Sequence, residues 1–353
     1  MKKTIECYTA DLPLGSNITD DIFNSKGALL IKGGTEVTEK IISLLKGYHG
    51  KIRINIDVSE DVAIKCNNTE EQDKMFKLSQ SIKERTLASV ELMYSGDDPE
   101  TLSNSAMSAA SEILQSLDHN KSVVFSVDAL KVSDEYTFKH CVDVGAISMI
   151  VAQKLGETTR FLQDIALAGV LHDLGKSKIP NEILNKPARL TDEEWEIMRL
   201  HPIYSYKMIA HIDTISKEVK HAVFEHHENI DGTGYPLGIK GDTICKMAKI
   251  LAVADVYDAL VTERPYKEAK NPADALEIMM GMSNKFDIEI LKTFINCVIL
   301  YPIGSTIKLS NNELCIVTKN NEGYPLRPVC QNLVTGEVYD LLNDSKCLSL
   351  VIV

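Results

Sequence analysis

The feature that most constrains the fold of this chain is a long region of helical periodicity. From about Glu70 to Leu300, apolar residues recur at three- and four-residue spacing, and glycine and proline interrupt the pattern. The region therefore predicts an all-helical central domain. Helices are expected over Glu70–Tyr94, Pro99–Leu117, 134–155, 159–173, 191–210, 216–227, 244–262, 271–281 and 286–299.

The two ends of the chain lack this helical periodicity. Residues 1–65 contain short apolar stretches separated by glycines, and one short helix for which Thr38 is the expected N-cap. Residues 303–353 contain β-type stretches joined by polar turns. The apolar stretches of the N-terminal region are Ala28–Ile31 and Ile52–Ile56, and the β-type stretches of the C-terminal region are Thr306–Leu309, Leu314–Thr318 and Leu348–Val353.

These patterns predict a mainly α protein with a small α+β module at its N-terminus and a small β appendage at its C-terminus. A length of 353 residues is enough for two or three domains. We expect the N-terminal module at residues 1–68, a helical connector at 69–129, the main helical domain at 130–302 and the β-rich appendage at 303–353.

Composition excludes several classes of protein. The net charge of −12 would repel a long polyanion, so a nucleic-acid polymer is not an expected partner. A small phosphate ligand remains compatible, because metal ions and a few lysines reverse the sign of the field locally. No apolar run is long enough for a membrane span, and the first residues do not form a signal peptide. Eight cysteines without a CxxC pair indicate reduced thiols, which favours a cytoplasmic location.

Residues capable of binding metal are concentrated in the helical region. Of 9 histidines, seven lie between His140 and His227. The pair His172-Asp173 ends an apolar helix, and Gly175 is the expected helix stop. Ionisable groups at the end of a buried segment need partners, and a metal ion is one. Imidazole together with carboxylate suits iron, manganese, zinc or nickel.

A second feature follows the same logic at another helix end. His226 and His227 close a predicted helix, and both can reach one metal cluster only if that helix end lies beside it. A sharp loop with Gly232 and Gly234 follows, and Pro236 fixes its exit.

Two further residues complete the pattern. His201 precedes a proline, which places it at a helix break, and Asp255 lies in a helix that is apolar on most sides. Asp258, one turn later, is a candidate support for the ligands. Each feature alone has an ordinary explanation, such as a satisfied helix terminus or an exposed loop. Together they are hard to explain as core histidines.

The combined pattern resembles the HD-GYP branch of the HD-domain phosphohydrolases, over roughly residues 130–300. This resemblance implies an HD-type all-helical catalytic domain. The matching residues are His140, the HDLGK segment from His172 to Lys176, His201-Pro202, the run from His226 to Pro236, Asp255, and Arg264-Pro-Tyr-Lys267.

The resemblance also implies two divalent metal ions, with iron expected first and manganese as the alternative. A hydroxide held between the two ions would attack phosphorus. One metal position matches His140, His172, Asp173 and Asp255, and the second matches Asp173, His201, His226 and His227, so that Asp173 bridges the ions.

Other residues are assigned to the substrate by the same resemblance. Lys176 would neutralise the reacting phosphate and so act in both catalysis and binding, while Arg264 and Lys267 would contact the substrate. The alternative for these three is a solvated surface charge. The GYP loop is formed by Asp231, Gly232, Gly234, Tyr235 and Pro236.

The chain departs from the family pattern at one position. Some members bind a third metal through a glutamate four residues before the first histidine, and Tyr136 occupies that position here. Glu135 lies one residue earlier, about 140° around a helix from His140. A two-metal site is therefore expected, and Glu135 would become a third-metal ligand only if the start of this helix is frayed.

The resulting hypothesis is a phosphodiesterase that cleaves cyclic di-GMP to linear pGpG, with further cleavage to GMP left open. The alternatives are a sensor or scaffold that binds a cyclic dinucleotide without turnover, and a phosphohydrolase acting on another nucleotide such as cyclic GMP-AMP. Contact with a diguanylate cyclase (GGDEF) domain through the GYP loop and a homodimer are the protein partnerships that the resemblance suggests.

Overall fold

The structure is a computed structural model, and its chain divides into two compact units. Residues 74–300 form the helical unit, and residues 1–73 together with 301–353 form the terminal unit. The structure describes residues 2–8, 12, 15–23, 28–45, 51–57, 75–76, 78–95, 98–117, 124–125, 136–262 and 269–353.

The helical unit confirms the prediction of an all-helical central domain. Helix caps mark many of its boundaries: the side chains of Asp98, Thr158, Thr191 and Ser216 each accept a hydrogen bond from the first turn of a helix. Its helices are α2 (Gln80–Ser95), α3 (Pro99–Gln115), α4 (Tyr136–Lys154), α5 (Thr159–Leu171), α6 (Asn181–Leu184), α7 (Asp192–Met198), α8 (His201–Ile209), α9 (Lys217–Glu225), α10 (Lys246–Val261), α11 (Pro272–Gly281) and α12 (Ile288–Cys297).

The core of this unit forms around α4 and α5. Both helices are buried along most of their length, because their sequences are apolar on nearly every side. Gly145 of α4 and Gly169 of α5 meet where the helices cross, and a Cβ added at Gly169 would lie 2.4 Å from Gly145 Cα. The two glycines therefore allow the backbones to approach closely, which fixes the end of α5 beside α4.

Two details of the helix predictions are wrong. The stretch 191–210 is two helices, α7 and α8, because Pro202 at the second position of α8 cannot continue the preceding helix. Gly175 is not a left-handed helix stop: α5 ends at Leu171, and Gly175 lies in the 3-10 helix Leu174–Lys178. Gly175 is needed for space, since a Cβ there would lie 2.2 Å from the carbonyl oxygen of His201.

The terminal unit contains a short helix, α1 (Glu39–Leu44), whose N-cap is Thr38 as predicted. The strands of this unit are β1 (Lys2–Tyr8), β2 (Asn17–Ile18), β3 (Ile22–Phe23), β4 (Leu29–Ile31), β5 (Lys51–Asp57), β8 (Thr306–Lys308), β9 (Leu314–Lys319), β10 (Val329–Asn332) and β11 (Val338–Asp340). Strand β5 pairs with β1 and β2, and β8, β9, β10 and β11 form an antiparallel sheet in sequence order.

The two segments of the terminal unit share one hydrophobic core. Ile316 and Leu333 from the C-terminal segment pack with Ile18, Ile54 and other buried residues of the N-terminal segment. Periodicity does not reveal contacts between distant segments, so the sequence alone predicts two separate modules. The domain limits at residues 68, 129 and 302 remain predictions.

Two further assignments from the sequence are wrong. Leu348–Val353 is not a strand and contributes only an isolated bridge between Ile352 and Leu309. Met75–Phe76, placed in a predicted helix, forms strand β6 of the helical unit and pairs in parallel with β7 (Val124–Phe125). Pairing with the distant segment Val124–Phe125 decides the second case. Within the described residues, no helix is long and apolar enough to cross a membrane.

The crossing of α4 and α5 gives a testable prediction about stability. We expect Gly169→Ala to lower the free energy of unfolding by about 1–3 kcal/mol, because the added methyl group meets backbone atoms that cannot move aside. Urea denaturation measures the change. Gly281→Ala is the control: a Cβ there meets no atom within 4 Å, so its effect should be neutral or stabilising by up to about 1 kcal/mol. Equal stability of the Gly169 variant and the wild type would contradict the proposed close packing.

Candidate metal centre

The HD pair lies at the end of α5, inside the helical unit. His172 is the C-cap residue of this helix and its Nδ1 donates a hydrogen bond to the carbonyl oxygen of Gly169 at 2.7 Å. A carbonyl oxygen can only accept, so Nδ1 carries the proton and Nε2 offers a lone pair. His172 and Asp173 are each 1% exposed.

His201 and His226 are fixed by the same kind of bond. Nδ1 of His201 donates to the carbonyl oxygen of Met198 at 2.9 Å, and Nδ1 of His226 donates to that of Val223 at 2.7 Å. The two Nε2 atoms therefore face each other as lone pairs, 3.3 Å apart. Burial lowers the pKa of His201 to about 3 and that of His226 well below its usual range, so both rings are neutral. Opposed lone pairs of neutral histidines are the arrangement that a cation stabilises.

His140 and Asp255 come from α4 and α10, which flank α5. His140 Nε2 lies 3.1 Å from Asp255 Oδ1, and His140 Nδ1 lies 2.6 Å from Asp258 Oδ2. Burial alone would lower the pKa of His140, but hydrogen bonds with Asp255 and Asp258 raise it to about 10. The structure thus places Asp258 behind His140, where its carboxylate orients the ring.

Asp173 occupies the middle of the cluster. Its Oδ2 lies 3.2 Å from Nε2 of His172 and 3.5 Å from Nε2 of His140, while its Oδ1 lies 3.4 Å from Nε2 of His201. Burial favours the protonated acid, but His172 and Lys176 outweigh burial and hold the pKa of Asp173 well below its usual range. The carboxylate is therefore ionised, and its two oxygens face different histidines.

The donor atoms form three groups that suit divalent cations. In each group the ligand atoms lie within 4.8 Å of one another, and the groups are His140, His172 and Asp255; His172, Asp173 and His226; and His201, His226 and His227. Nε2 of His172 and Oδ1 of Asp173 are buried and make no hydrogen bond within the described residues. Buried polar atoms of this kind need a partner, and neutral imidazoles with carboxylates are typical metal ligands.

The cluster opens to solvent on one side. The side chain of His227 is 24% exposed and that of Asp255 is 10% exposed, whereas those of His140, His172, Asp173 and His201 are each 1% exposed. A ligand from solution therefore approaches past His227.

The GYP loop lies on this open side. The ring of Tyr235 stacks on His227 with a centroid distance of 4.7 Å and an interplanar angle of 30°, and the Tyr235–Pro236 peptide bond is cis. Gly232 has a φ of +80°, as a sharp loop requires, and a Cβ at Gly234 would lie 2.3 Å from the backbone nitrogen of Asn229. These two positions explain the glycines of the motif.

Carboxylates hold this loop in place. Asp231 accepts hydrogen bonds from the backbone nitrogen and the hydroxyl of Thr233 and from the side chain of Asn284. Glu228, which the sequence analysis does not assign to the site, is 3% exposed. Its carboxylate accepts hydrogen bonds from the backbone nitrogens of Leu237, Gly238 and Ile239 at 2.6, 3.1 and 3.1 Å. The sequence signal for this role is an acidic residue directly after two histidines. The backbone groups that Glu228 binds lie nine or more residues further along the chain, so the sequence does not reveal them.

Of the charged residues that the sequence analysis discusses beside the ligands, Lys176 lies within the described residues and three others do not. Lys176 Nζ lies 2.5 Å from Asp173 Oδ2, so its charge is directed at the carboxylate. Arg264, Lys267 and Glu135 lie outside the described residues. The structure describes Tyr136 as the first residue of α4 but not its side chain.

Ser205 is a second residue that sequence reasoning missed. Its hydroxyl donates to the carbonyl oxygen of His172 at 2.8 Å and accepts from the backbone nitrogen of Gly175 at 2.7 Å. Ser205 is fully buried and lies one turn after His201 on α8. One side chain therefore connects the turn that carries the HD pair to the helix that carries His201.

The part of the chain that carries this cluster is similar in sequence to known proteins. Residues 125–290 match the family model described as the HD domain. Cyclic di-GMP phosphodiesterase PA4108 of Pseudomonas aeruginosa is 37% identical over 217 residues, which cover 62% of this chain and 52% of that protein. Cyclic di-GMP phosphodiesterase PdeB of Borreliella burgdorferi is 29% identical over 222 residues, covering 62% of this chain and 58% of that protein. The chain thus spans about half the length of these curated relatives.

Two further comparisons concern substrate class and fold. The 3'3'-cGAMP-specific phosphodiesterase 3 of Vibrio cholerae is 36% identical over 144 residues, covering 41% of this chain and 31% of that protein. The solved structure of Bd1817, an HDG"Y"P protein from Bdellovibrio bacteriovorus, aligns with a TM-score of 0.51 and 19% identity. The alignment covers 83% of this chain and 98% of that one, and it supports the fold.

The helical fold and the histidine–aspartate cluster agree with the match of residues 125–290 to the HD domain, and the cluster could hold metal ions. The HD pair and the complete GYP loop lie in one site, as the resemblance to the HD-GYP branch predicts.

The position of Ser205 generates a prediction about metal affinity. We expect Ser205→Ala to weaken metal binding about 10- to 100-fold, because residues that orient metal ligands commonly have effects of this size. Titration calorimetry with Mn²⁺ measures the affinity. Ser103→Ala is the matched control, since Ser103 is also buried and hydrogen-bonds to the hydroxyl of Thr214 at 2.8 Å. The control should lose stability and keep its metal affinity, and equal affinities in all three proteins would disprove the role of Ser205.

Proposed function

We propose that this protein is a metal-dependent phosphodiesterase that hydrolyses a cyclic dinucleotide, with cyclic di-GMP as the preferred candidate. The observation that carries the proposal is a buried carboxylate, Asp173, whose two oxygens face two different groups of histidines. Such an arrangement suits two neighbouring divalent cations, and two-cation sites are typical of enzymes that cleave phosphate esters.

The proposed ligand sets follow the groups of donor atoms. The first cation would be held by His140, His172, Asp173 and Asp255. The second would share Asp173 and add His201, His226 and His227. The distances around Asp173 support its assignment as the shared ligand, since Oδ2 lies nearest to the first set and Oδ1 to the second.

The residues of the chain have separate tasks in the proposed reaction. Cations bound here would activate water and stabilise the charge on the phosphoryl oxygens. Asp258 orients His140, and the backbone carbonyl oxygens of Gly169, Met198 and Val223 hold three rings with Nε2 toward the centre. Lys176 lies against Asp173, close enough to the centre to neutralise a phosphate bound beside it. Tyr235 covers the ring of His227 on the open side.

The choice of substrate rests on the named relatives. Curated relatives are named as cyclic di-GMP phosphodiesterases or as cGAMP-specific phosphodiesterases, so the mixed dinucleotide is the alternative substrate. Contacts from Arg264 and Lys267 to the nucleotide are part of the proposal. A sensor without turnover is disfavoured, because all seven proposed ligands are present and converge. A GGDEF contact and a homodimer remain predictions.

The proposed metal is iron, with manganese as the alternative. Five imidazoles and two carboxylates provide borderline nitrogen and hard oxygen donors, which both ions accept. The set lacks the thiolates that would favour softer metals.

A hydrolysis assay tests the proposed function and its product. Purified protein loaded anaerobically with Fe²⁺, or with Mn²⁺, is expected to convert cyclic di-GMP to linear pGpG before GMP appears. Two cations suffice to open the ring, whereas the linear product gains a terminal phosphate that needs a further anchor. Chromatography over time separates the three nucleotides, and 3'3'-cGAMP is assayed in parallel. Absence of hydrolysis of both dinucleotides would refute the proposal, and GMP formed without an intermediate would refute the product assignment.

Removal of the shared ligand tests the two-cation centre. We expect Asp173→Ala to lose both cations, seen as a fall in metal content from about two ions per chain to none, together with all activity. Plasma mass spectrometry measures the content. Asp164→Ala is the control, because this carboxylate lies in α5, pairs with Arg160 and accepts a hydrogen bond from Ser216, and is not one of the proposed ligands. A full metal complement in the Asp173 variant would rule out its shared role.

A further inference from the structure

The open side of the metal centre contains a cation that the proposed mechanism does not use. Arg199 lies in the turn between α7 and α8, two residues before the proposed ligand His201. Its guanidinium carbon lies 5.6 Å from the centroid of the Tyr235 ring, and Tyr235 in turn stacks on His227. Arginine, tyrosine and histidine thus form a stack that leads from solvent to the metal centre.

The Arg199 side chain is available to a ligand. It is 50% exposed, and its ion pair with Glu196 at 3.0 Å involves a partner that is 72% exposed. Pairs of exposed side chains contribute little free energy, so a bound anion can replace Glu196 at small cost. The stacking on Tyr235 meanwhile restricts where the guanidinium can lie.

The charge of a cyclic dinucleotide indicates a role for Arg199. A cyclic dinucleotide carries two phosphodiesters, and the metal centre can hold only the one that is cleaved. Lys176 is directed at Asp173 inside the cluster, whereas Arg199 lies at the opening against the ring of Tyr235, which stacks on His227. In a protein with a net charge of −12, the second phosphate needs a local positive group.

We propose that Arg199 is a substrate-binding residue whose guanidinium receives the phosphodiester that the metal centre does not cleave. The planar guanidinium suits this role, because it can donate two parallel hydrogen bonds to phosphate oxygens. Arg199 therefore discriminates in favour of substrates with two phosphates. This inference rests on the proposed function, and it adds a recognition residue on the HD side of the site, outside the GYP motif.

Two substrates of different size test the inference. For Arg199→Ala loaded with Mn²⁺, we expect the KM for cyclic di-GMP to rise about tenfold to a hundredfold, the range for loss of a hydrogen bond to a charged group. The kcat/KM for bis(p-nitrophenyl) phosphate, which has a single phosphodiester, should remain within about twofold, since it offers no second phosphate to bind. Arg199→Lys should recover part of the loss, because it keeps the charge without the planar donor pair.

Controls separate recognition from support of the metal centre. Arg160→Ala removes another exposed arginine that pairs with an acid in its own helix, and both kinetic constants should stay at the wild-type values. Glu196→Gln frees Arg199 and should leave the KM for cyclic di-GMP unchanged or lower it. Metal content is measured for every variant and should equal that of the wild type.

The outcomes distinguish this inference from the proposed function. Equal losses on both substrates, or a loss of metal, would show that Arg199 acts through Tyr235 and His227 and would overturn the inference. An unchanged KM for cyclic di-GMP in the Arg199→Ala variant would overturn it as well, while hydrolysis by the wild type would still uphold the proposed function. A wild-type protein that neither binds nor hydrolyses a cyclic dinucleotide would overturn both.

Discussion

The structure of the site depends on one buried carboxylate. Asp173 is 1% exposed, and an ionised acid in that position is costly unless positive or hydrogen-bonding groups surround it. His172, His201 and Lys176 supply part of that environment. A cation would supply the rest of that environment. The same burial that penalises the bare carboxylate lowers the pKa of His201, His226 and His227 and keeps these three rings neutral and able to coordinate.

The histidines are positioned by the ends of helices. The last carbonyl groups of a helix lack a partner within it, and His172, His201 and His226 each donate to one of them, near the ends of α5, α7 and α9. A single hydrogen bond therefore satisfies a helix terminus and fixes the tautomer of a ring. These hydrogen bonds explain why His172, His201 and His226 lie at helix ends. The three rings can meet in one cluster only because the ends of α5, α7 and α9 lie close together.

Much of the site could be predicted because residue types reveal their chemistry. Burying a histidine or aspartate without a partner costs free energy, whether it lies at the end of an apolar helix or inside one, as Asp255 does. Such residues can be recognised in the sequence from their apolar neighbours. Predictions failed where a neighbour distant in the chain decides the outcome. Met75–Phe76 is a strand because β7 pairs with it, and Gly175 is required by the backbone of α8 and not by a helix cap.

The helical class of the central unit, the positions of most helices and the set of candidate ligands could be predicted from the sequence alone, because periodicity and side-chain chemistry are local properties. Tertiary structure alone decided which oxygen of Asp173 faces which histidine, that Ser205 joins two ligand-bearing turns, and that Glu228 holds the GYP loop. It also placed Arg199 at the open side. These relations depend on how separate elements pack in three dimensions, and no spacing along the chain encodes those distances.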